Sequence, residues 1–410
     1  MTTAPTSPVT TDSLTDLIAA ELDDLIAIRH DLHAHPEMGY NEHRTCGVVT
    51  RELKNAGIDF KDGLAGGTGV LGHLPGGAPG SGDKAIGLRA DMDALPITEE
   101  TGLPYASTNP GVMHACGHDG HTTMLIGAAR VLAKLAKDNP LPRPVTFCFQ
   151  PAEEGGAGGK RMVEDGCLTG SIIGPPVEMM FGLHCWPLLR LNAVMTRTGP
   201  MLAAADMIEI TLRGKGSHAA MPQHGHDPIL AGSNLVSALQ QIASRNIDPL
   251  DSIVVSITQF HGGTTHNIIP ETVELMGTVR TLLPETQELA IRRINEIATH
   301  IAAAHGCEAE VDYQVGYPVT RNHADAVKIF NDTARDALGE SRVDHMDLPV
   351  MGGEDFSFYC NEVPSCFFAL GMIPEGEDSM VQVHHPKFNF NDDAIATGVE
   401  MFCRLALRTS

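Results

Sequence analysis

The stretch "HTTMLIGAARVLAKLAKDNPLPRPVTFCFQPAEEGG", residues 121–156, places one long apolar helix pattern ahead of one short apolar strand. We predict a helix over 121–136 and a strand over 145–149, from the apolar spacing and the length of each run. The same alternation recurs along the chain, with helices over 43–56, 324–338 and 393–408 and strands over 69–74, 85–89, 179–183 and 365–370. Helices that alternate with short apolar strands predict an α/β layer domain with a mostly parallel sheet.

The middle of the chain follows a different order of elements. Strands are predicted over 206–213, 252–260, 272–281 and 309–315, and helices over 228–244 and 284–305. The resulting order, β-α-β-β-α-β, is the ferredoxin-like arrangement, and about 110 residues are enough for a self-contained domain. We therefore predict an inserted α+β domain over 204–316, between two segments of the α/β domain, 13–203 and 317–410.

The start of the chain and one internal stretch carry local signals. Residues 1–12 are expected to be a disordered lead-in, and Ser13 is expected to cap the first helix with Asp16 as its capping-box partner. The Gly- and Pro-rich stretch over 74–84 predicts an exposed loop.

Net charge and cysteine usage limit the class of partner and the compartment. A formal charge of −23 argues against nucleic acid and anionic membranes, since both attract basic protein surfaces. The N-terminus lacks a secretory pattern, and no apolar run approaches the ~18 residues of a membrane span. The nine cysteines have no paired spacing, so we interpret them as reduced thiols of a cytoplasmic protein. A small molecule is the expected partner.

Metal-ligand side chains recur at the ends of predicted strands and in loops. The segments are "RADMD" (89–93), "HACGHD" (114–119), "QPAEEGG" (150–156), "GLHCW" (182–186) and "VHHPKFNFND" (383–392). In open α/β sheets, residues that follow the carboxyl ends of the strands gather at one edge, where ligands bind. The Cys, His, Glu and Asp side chains outnumber the three protein ligands of one catalytic zinc, so two divalent ions are predicted.

The adjacent pair Glu153–Glu154 indicates catalysis as well as metal binding. Successive residues point in different directions, so one carboxylate can ligate metal while its neighbour takes a proton from water. A solvated surface pair is the alternative. We disfavour it because the pair follows the buried-type strand "VTFCFQ" and precedes a run of glycines.

Taken in order, these segments resemble the di-metal amidohydrolases that include hippurate hydrolase, N-acyl-amino-acid amidohydrolases and auxin-conjugate hydrolases, relatives of carboxypeptidase G and aminoacylase. The resemblance covers nearly the whole chain. It rests on "RHDLHAHPEMGYNEHRT", "GLRADMDALPI", "MHACGHDGHTTMLIGAA", "FQPAEEGG", "GLHCWP", "GKGSHAAMPQHGHDPI", "NIIPETVELMGTVRT", "GGEDFSFY" and "HHPKFNFNDDA".

The resemblance implies a full set of site residues. The implied metal ligands are Cys116, His118, Glu154, His184 and His384, with Glu153 as the general base and Cys116 bridging the two ions. Wider relatives carry an H-x-D motif where this chain has Asp91-Met92-Asp93, and a bridging Asp at the position of Cys116. His118 would replace the lost imidazole, and we expect Asp93 to orient a ligand histidine.

The inserted domain is expected to bind substrate. The resemblance implies that His218 contacts the substrate, and that Asn267 and Arg280 lie at the same site. A guanidinium can hold a carboxylate through two parallel hydrogen bonds, so Arg280 is the predicted carboxylate anchor. The relatives pair through this lid domain, so a homodimer or dimer-based oligomer is predicted, with His218 reaching the partner's active site.

The predicted function is metal-dependent hydrolysis of N-acyl amino acids, which gives a carboxylate and a free amino acid. Zinc or manganese would suit the ligands, and cobalt or nickel could also bind. A dipeptidase or carboxypeptidase using the same site is one alternative. A metal-storage or metal-sensing protein needs no base, so the Glu153–Glu154 pair argues against it, and the full set of ligands argues against an inactive binding module.

Overall fold

The computed structural model describes residues 11–77, 83–347 and 349–408. The predicted lead-in lies outside these residues for positions 1–10, and so does the predicted loop for positions 78–82. The first helix begins at Thr11, so Ser13 lies within its first turn and the predicted cap at Ser13 is wrong. The helix simply extends further toward the N-terminus than the cap pattern indicated.

The described residues form nine α-helices and sixteen strands. The helices are α1 (Thr11–Ala34), α2 (His43–Ala56), α3 (His118–Asp138), α4 (Gly158–Glu164), α5 (Pro228–Leu239), α6 (Pro284–Ala304), α7 (Ala324–Leu338), α8 (Ser357–Glu362) and α9 (Ile395–Leu407). The strands are β1 (Asp59–Leu64), β2 (Gly69–Leu74), β3 (Ala85–Asp91), β4 (Val145–Gln150), β5 (Val177–Arg190), β6 (Val194–Thr196), β7 (Gly199–Leu202), β8 (Ala204–Arg213), β9 (Ser217–His218), β10 (Ile253–Gly262), β11 (Ile268–Ile269), β12 (Thr272–Thr281), β13 (Glu308–Tyr317), β14 (Thr320–Asn322), β15 (Val343–His345) and β16 (Ser365–Ile373).

The chain divides into two compact units. The first lies within Met1–Met201, Arg321–Asp347 and Asp355–Ser410, and the second within Leu202–Thr320 and Leu348–Glu354. Each unit has its own hydrophobic core. The short return segment before Asp355 belongs to the second unit, a feature that the predicted boundaries did not contain.

The first unit is built on an eight-stranded sheet with the order β1-β2-β4-β3-β5-β16-β6-β15 among the described residues. The central strands β4, β3, β5 and β16 are mutually parallel. Every residue of β3 and β4 is buried, as expected for strands covered on both faces. The predicted α/β class with a mostly parallel sheet is confirmed.

The strand β5 continues beyond its predicted end at residue 183. It leaves β3 at Gly182 but keeps pairing with β16 as far as Arg190. Its residues after Gly182 therefore project beyond the last β3 residue with which β5 pairs, Arg89, and His184 lies on this projecting part. The helix α3 packs against α1 and α9 and is buried over most of its length. No helix in the described ranges is long and apolar enough to cross a membrane.

The second unit contains a four-stranded antiparallel sheet with the order β10-β12-β8-β13. The chain passes through β8, α5, β10, β12, α6 and β13, which is the predicted ferredoxin-like order. Asp227 caps α5, because its carboxylate accepts hydrogen bonds from the backbone N–H groups of Ile229 and Leu230. The lid and dimerisation role of this unit stays a prediction.

Candidate active site

The structure brings the five predicted metal ligands together in the first unit, with Glu153 beside them. Their ligand atoms form three overlapping groups, each within 4.8 Å: Cys116–His118–His184, Cys116–Glu154–His384 and His118–Glu153–Glu154. We call these six residues the donor cluster. Cys116 belongs to two of the groups, which is the arrangement that a shared thiolate requires.

The beginning of α3 positions two members of the donor cluster. The helix starts at His118 instead of the predicted residue 121, and Gly117 precedes it with φ of 85°. Glycine adopts this left-handed conformation without strain, and a Cβ atom here would lie 2.6 Å from the Sγ atom of Cys185. The turn therefore needs glycine. It sets Cys116 just ahead of the helix and His118 in its first turn.

His184, on the projecting part of β5, presents one specific nitrogen to Cys116. Its Nδ1 donates to the carbonyl oxygen of Cys185 at 2.7 Å, so the neutral ring carries its lone pair on Nε2. That Nε2 atom lies 3.3 Å from the Sγ atom of Cys116. Burial, together with the neighbouring His121, lowers the pKa of His184 well below its usual range. The ring is therefore neutral, as metal ligation requires.

Asp93 touches two members of the donor cluster at once. Its Oδ1 lies 3.2 Å from Nδ1 of His118, and its Oδ2 accepts from the backbone N–H of Glu154 at 2.9 Å. This carboxylate thereby ties α3 to the loop after β4. It also leaves Nε2 of His118 as the nitrogen that faces the other donors.

His384 reaches the donor cluster from a loop near the C-terminus. Its backbone N–H donates to the carbonyl oxygen of Ala115 at 2.7 Å, and its φ of 63° is unusual for a residue with a Cβ. Its Nε2 lies 3.3 Å from Sγ of Cys116 and 3.2 Å from Oε1 of Glu154. The neighbouring His385 is exposed, and its Nδ1 accepts from the backbone of Lys387.

Two further histidines of the first unit lie close by. Nδ1 of His121 lies 2.7 Å from Oδ1 of Asp91, and its Nε2 accepts from the backbone N–H of Cys185 at 2.8 Å. Because both ring nitrogens are occupied, His121 has no lone pair left for a metal. His114 is buried, and burial lowers its pKa to about 4. Within the described ranges neither of its nitrogens has a hydrogen-bond partner.

The electrostatics of the donor cluster fit a bound cation. Burial raises the pKa of the Cys116 thiol well above its usual range, and the Glu154 carboxylate raises it further. Burial lowers the pKa of His118, but Asp91 and Asp93 outweigh that effect and raise it to about 10. Nε2 of His118 and Oε1 of Glu154 are buried without a well-oriented hydrogen-bond partner among the described residues. Thiol, imidazole and carboxylate donors together suit divalent transition ions.

Sequence reasoning missed a group of buried polar residues next to the donor cluster. Arg89 contacts Asp91 at 2.7 Å, Gln150 at 2.9 Å and Asp355 at 2.9 Å. The signal was present in the quoted motifs "GLRADMDALPI" and "GGEDFSFY". A contact between residues so far apart in the chain, however, cannot be derived from one sequence.

In the second unit, the structure brings His218 and Asn267 together. The backbone N–H of Ala219 donates to the carbonyl oxygen of Asn267 at 3.0 Å, and His218 pairs with Ile268 across β9 and β11. Nδ1 of His218 accepts from the backbone N–H of Ala220 at 3.0 Å. The exposed neutral ring therefore carries its proton on Nε2 and can donate it to a hydrogen bond. His218 also lines an open cleft with Ser217 and Glu271.

Arg280 lies apart from these two residues. It stands near the far end of β12, about 25 Å from Thr272 at ~3.3 Å per residue, whereas β11 precedes the near end. Its Nε donates to Oγ1 of Thr278, and no carboxylate of the described residues forms an ion pair with it. One copy of this unit therefore does not bring Arg280 to His218.

The chain is similar in sequence to known hydrolases and to one peptidase family model. The model for peptidase family M20/M25/M40 matches residues 87–408. The chain is 40% identical over 392 residues to IAA-amino acid hydrolase ILR1-like 5 of Arabidopsis thaliana, covering 94% of this chain and 86% of that protein. It is 40% identical over 381 residues to hippurate hydrolase of Campylobacter jejuni, covering 93% and 95% of the two chains.

A solved structure shares the fold as well as the sequence. The YXEP protein of Bacillus subtilis, described as a dinuclear metal binding peptidase from the M20 family, superimposes with a TM-score of 0.80 at 34% identity, covering 95% of this chain and 98% of that one. The match of the family model over most of the chain and the level of identity lead to one conclusion. The chain belongs to peptidase family M20/M25/M40.

Proposed function

We propose that the protein hydrolyses the amide bond of N-acyl amino acids of the hippurate type, releasing a carboxylate and a free amino acid. One observation carries the proposal: Glu153 is only 7% exposed and lies in the donor cluster without being needed as a sixth donor beside the five proposed ligands. A protein that only stored metal would gain nothing from this second carboxylate. The names of the relatives, hippurate hydrolase and IAA-amino acid hydrolase, support the substrate class.

Two divalent ions would be held by Cys116, His118, Glu154, His184 and His384. The lone pair on Nε2 of His184, the lack of a hydrogen bond at Nε2 of His118 among the described residues, and the shared position of Cys116 support this assignment. When bound, such ions lower the pKa of water toward 7 and polarise a carbonyl group. Zinc or manganese suits the donors best, with cobalt or nickel as alternatives. The dinuclear description of the Bacillus relative supports two ions.

Glu153 would act as the general base and then as the general acid. Its Oε1 accepts from the backbone N–H of Asp355 at 3.3 Å, which holds the carboxylate in place. It takes a proton from the attacking water and later delivers that proton to the leaving amine. One residue can perform both transfers because amide cleavage needs a base first and an acid afterwards. Asp93 would orient His118 throughout.

The second unit would bind and polarise the substrate. The Nε2–H group of His218 is suited to donate to the developing oxyanion, because Nδ1 is already occupied. Oδ1 of Asn267 accepts from Thr265, which leaves its amide N–H groups free for substrate. Arg280 would bind the substrate's carboxylate. Arg280 stands near one end of β12, whereas His218 and Asn267 lie near its other end. This separation supports a homodimer in which His218 and Asn267 serve the partner's site.

A substrate panel combined with metal analysis tests the proposal. Benzoyl-, acetyl- and indoleacetyl-amino acids should be hydrolysed, with about two divalent ions bound per chain. Glu153→Gln is the matched inactive control. Preferential cleavage of unblocked dipeptides would favour the dipeptidase alternative, and turnover that persists in Glu153→Gln would contradict the mechanism. We also propose a cytoplasmic location, supported by the nine cysteines, which all lie among the described residues and are thiols instead of disulfides.

A further inference from the structure

Arg89 is a buried cation that the proposed mechanism does not use. It lies in β3, its side chain is 0% exposed, and its guanidinium contacts two carboxylates and one amide. An isolated buried charge is very costly, so this one is tolerated only because its partners are held around it.

One of the two carboxylates, that of Asp91, connects Arg89 to the proposed metal ligands of the donor cluster. Asp91 accepts from Nη1 of Arg89 at 2.7 Å with one oxygen and from Nδ1 of His121 at 2.7 Å with the other. The ring of His121 is further held by the backbone N–H of Cys185, and it packs at 4.7 Å against the ring of His184. Asp91 therefore fixes the imidazole against which a proposed ligand rests. We call this path the ligand arm.

The other carboxylate leads to Glu153. Asp355 accepts from Nη2 of Arg89 at 2.9 Å, from the side-chain amide of Gln150 at 2.8 Å and from the backbone N–H of Gly159 at 2.8 Å. Its own backbone N–H donates to Oε1 of Glu153 at 3.3 Å. The clamped Asp355 thus holds the loop after β4 on both sides of Glu153. We call this path the base arm.

We propose that Arg89 is a positioning residue, which sets Glu153 relative to the ligand imidazoles by bridging Asp91 and Asp355. This inference rests on the role of Glu153 in the proposed function. Arginine suits the task because its planar fork presents donors to two carboxylates in a fixed geometry. A lysine ammonium is a point charge on a flexible stem and does not impose that geometry.

Separate variants of the two arms test the bridge. In Asp355→Asn, which alters the base arm, kcat for an N-benzoyl amino acid should fall about 10²-fold at saturating zinc, because a misplacement near 1 Å can have that effect. Its KM and its zinc affinity should not change. In Asp91→Asn, zinc affinity, measured by competition with a chromogenic chelator, should fall about 10–100-fold, as for other outer partners of ligands. Its kcat should recover at saturating zinc.

Arg89→Lys should show both effects together, and Arg29→Lys is its matched control. Arg29 is also a fully buried arginine that bridges two carboxylates, Asp119 and Asp392, but it contacts neither arm. Arg29→Lys should lose stability with little loss of kcat at saturating zinc. If Arg89→Lys and Asp355→Asn lose no more kcat than Arg29→Lys, Arg89 is only a structural residue and the inference is wrong.

If Arg89→Lys does not fold, the Asp91→Asn and Asp355→Asn variants still test the positioning role of Arg89. An unchanged zinc affinity in Asp91→Asn, or an unchanged kcat in Asp355→Asn, would contradict that role. If the unaltered protein does not hydrolyse N-acyl amino acids, or Glu153→Gln keeps full turnover, it is the proposed function that fails. If the unaltered protein is active but Arg89→Lys changes neither kcat nor zinc affinity, only the positioning inference is contradicted.

Discussion

The donor cluster of the first unit and the proposed substrate residues of the second differ in how they are held. Cys116, His118 and Glu153 are buried, and each contacts side chains or backbone of several elements. His218 and Asn267 are exposed and are held mainly by local backbone contacts. The proposed metal chemistry therefore rests mainly on buried donors, with His384, whose side chain is 52% exposed, as the exception, whereas the proposed substrate residues His218 and Asn267 lie on the surface.

The largest effect should come from Glu153→Gln, which alters a buried residue of the donor cluster. General-base catalysis contributes roughly 10²–10⁴-fold, and the loss can exceed this range because the same residue returns the proton. Bound metal should be retained, since Glu153 is not a proposed ligand. Turnover and metal content measured on the same sample check this expectation. Glu154→Gln is the control that should lose metal, and equal metal loss in both variants would remove the distinction between the two carboxylates.

The second effect concerns Cys116 as a shared ligand. Cys116→Ala should weaken the binding of both ions, by more than the roughly 10–100-fold typical of residues behind the ligands. In the unaltered protein, alkylation of Cys116 should be blocked with metal present and should proceed, though slowly, after chelation, because burial raises the pKa of the metal-free thiol. Mass spectrometry of labelled peptides measures both states. Loss of only one ion would make Cys116 a terminal ligand.

A smaller effect is expected among the proposed substrate residues of the second unit, from Arg280→Ala. Charge-assisted hydrogen bonds contribute about 1.5–3 kcal/mol, so KM for N-acyl amino acids should rise roughly 10–100-fold. The corresponding acyl-amino amides lack the carboxylate and should be much less affected. Arg213→Ala is the matched control, because Arg213 is an exposed arginine of the same unit that pairs with Glu310. An equal rise for both substrate types would make Arg280 structural.

The last effect concerns stability instead of turnover, as a pH dependence in the buried region. Burial lowers the pKa of His33, but Asp119 and Glu99 outweigh this and raise it from 6.5 to about 9. Because the folded pKa is raised, the contribution of His33 is complete below pH 6.5 and is lost as pH rises toward about 9. It amounts to roughly 3 kcal/mol at ~1.4 kcal/mol per pKa unit.

Denaturant unfolding of His33→Gln and of the unaltered chain between pH 6 and about 9.5 measures that contribution. The two stabilities should converge as the pH rises. His35→Gln is the control, since His35 is a half-exposed neighbour in the same segment. Parallel curves for His33→Gln and the unaltered chain would show that His33 is not charged in the fold.

Local pattern predicted most of the elements. The bounds of α2, α7, β2 and β12 agree with the predicted ranges, because each has clear apolar spacing and a clear stop. The longer β5 was not predictable, because its extension depends on pairing with β16, which comes from a distant part of the chain. The predicted start of α3 was wrong for a similar reason. The helix begins directly after Gly117, and this position needs glycine because a Cβ atom would lie too close to Cys185, which is distant in the chain.

The residue types and their positions predicted which side chains could do the chemistry, since Cys, His and paired Glu residues after apolar strands have few other uses. Which of them face one another depends on the tertiary structure. It occupies both nitrogens of His121 and leaves one nitrogen of His118 without a hydrogen bond among the described residues, although the two histidines are three residues apart on one helix. It also joins Arg89 to Asp355 across the fold. Hydrogen-bond partners depend on distance in space, and a single sequence records only distance along the chain.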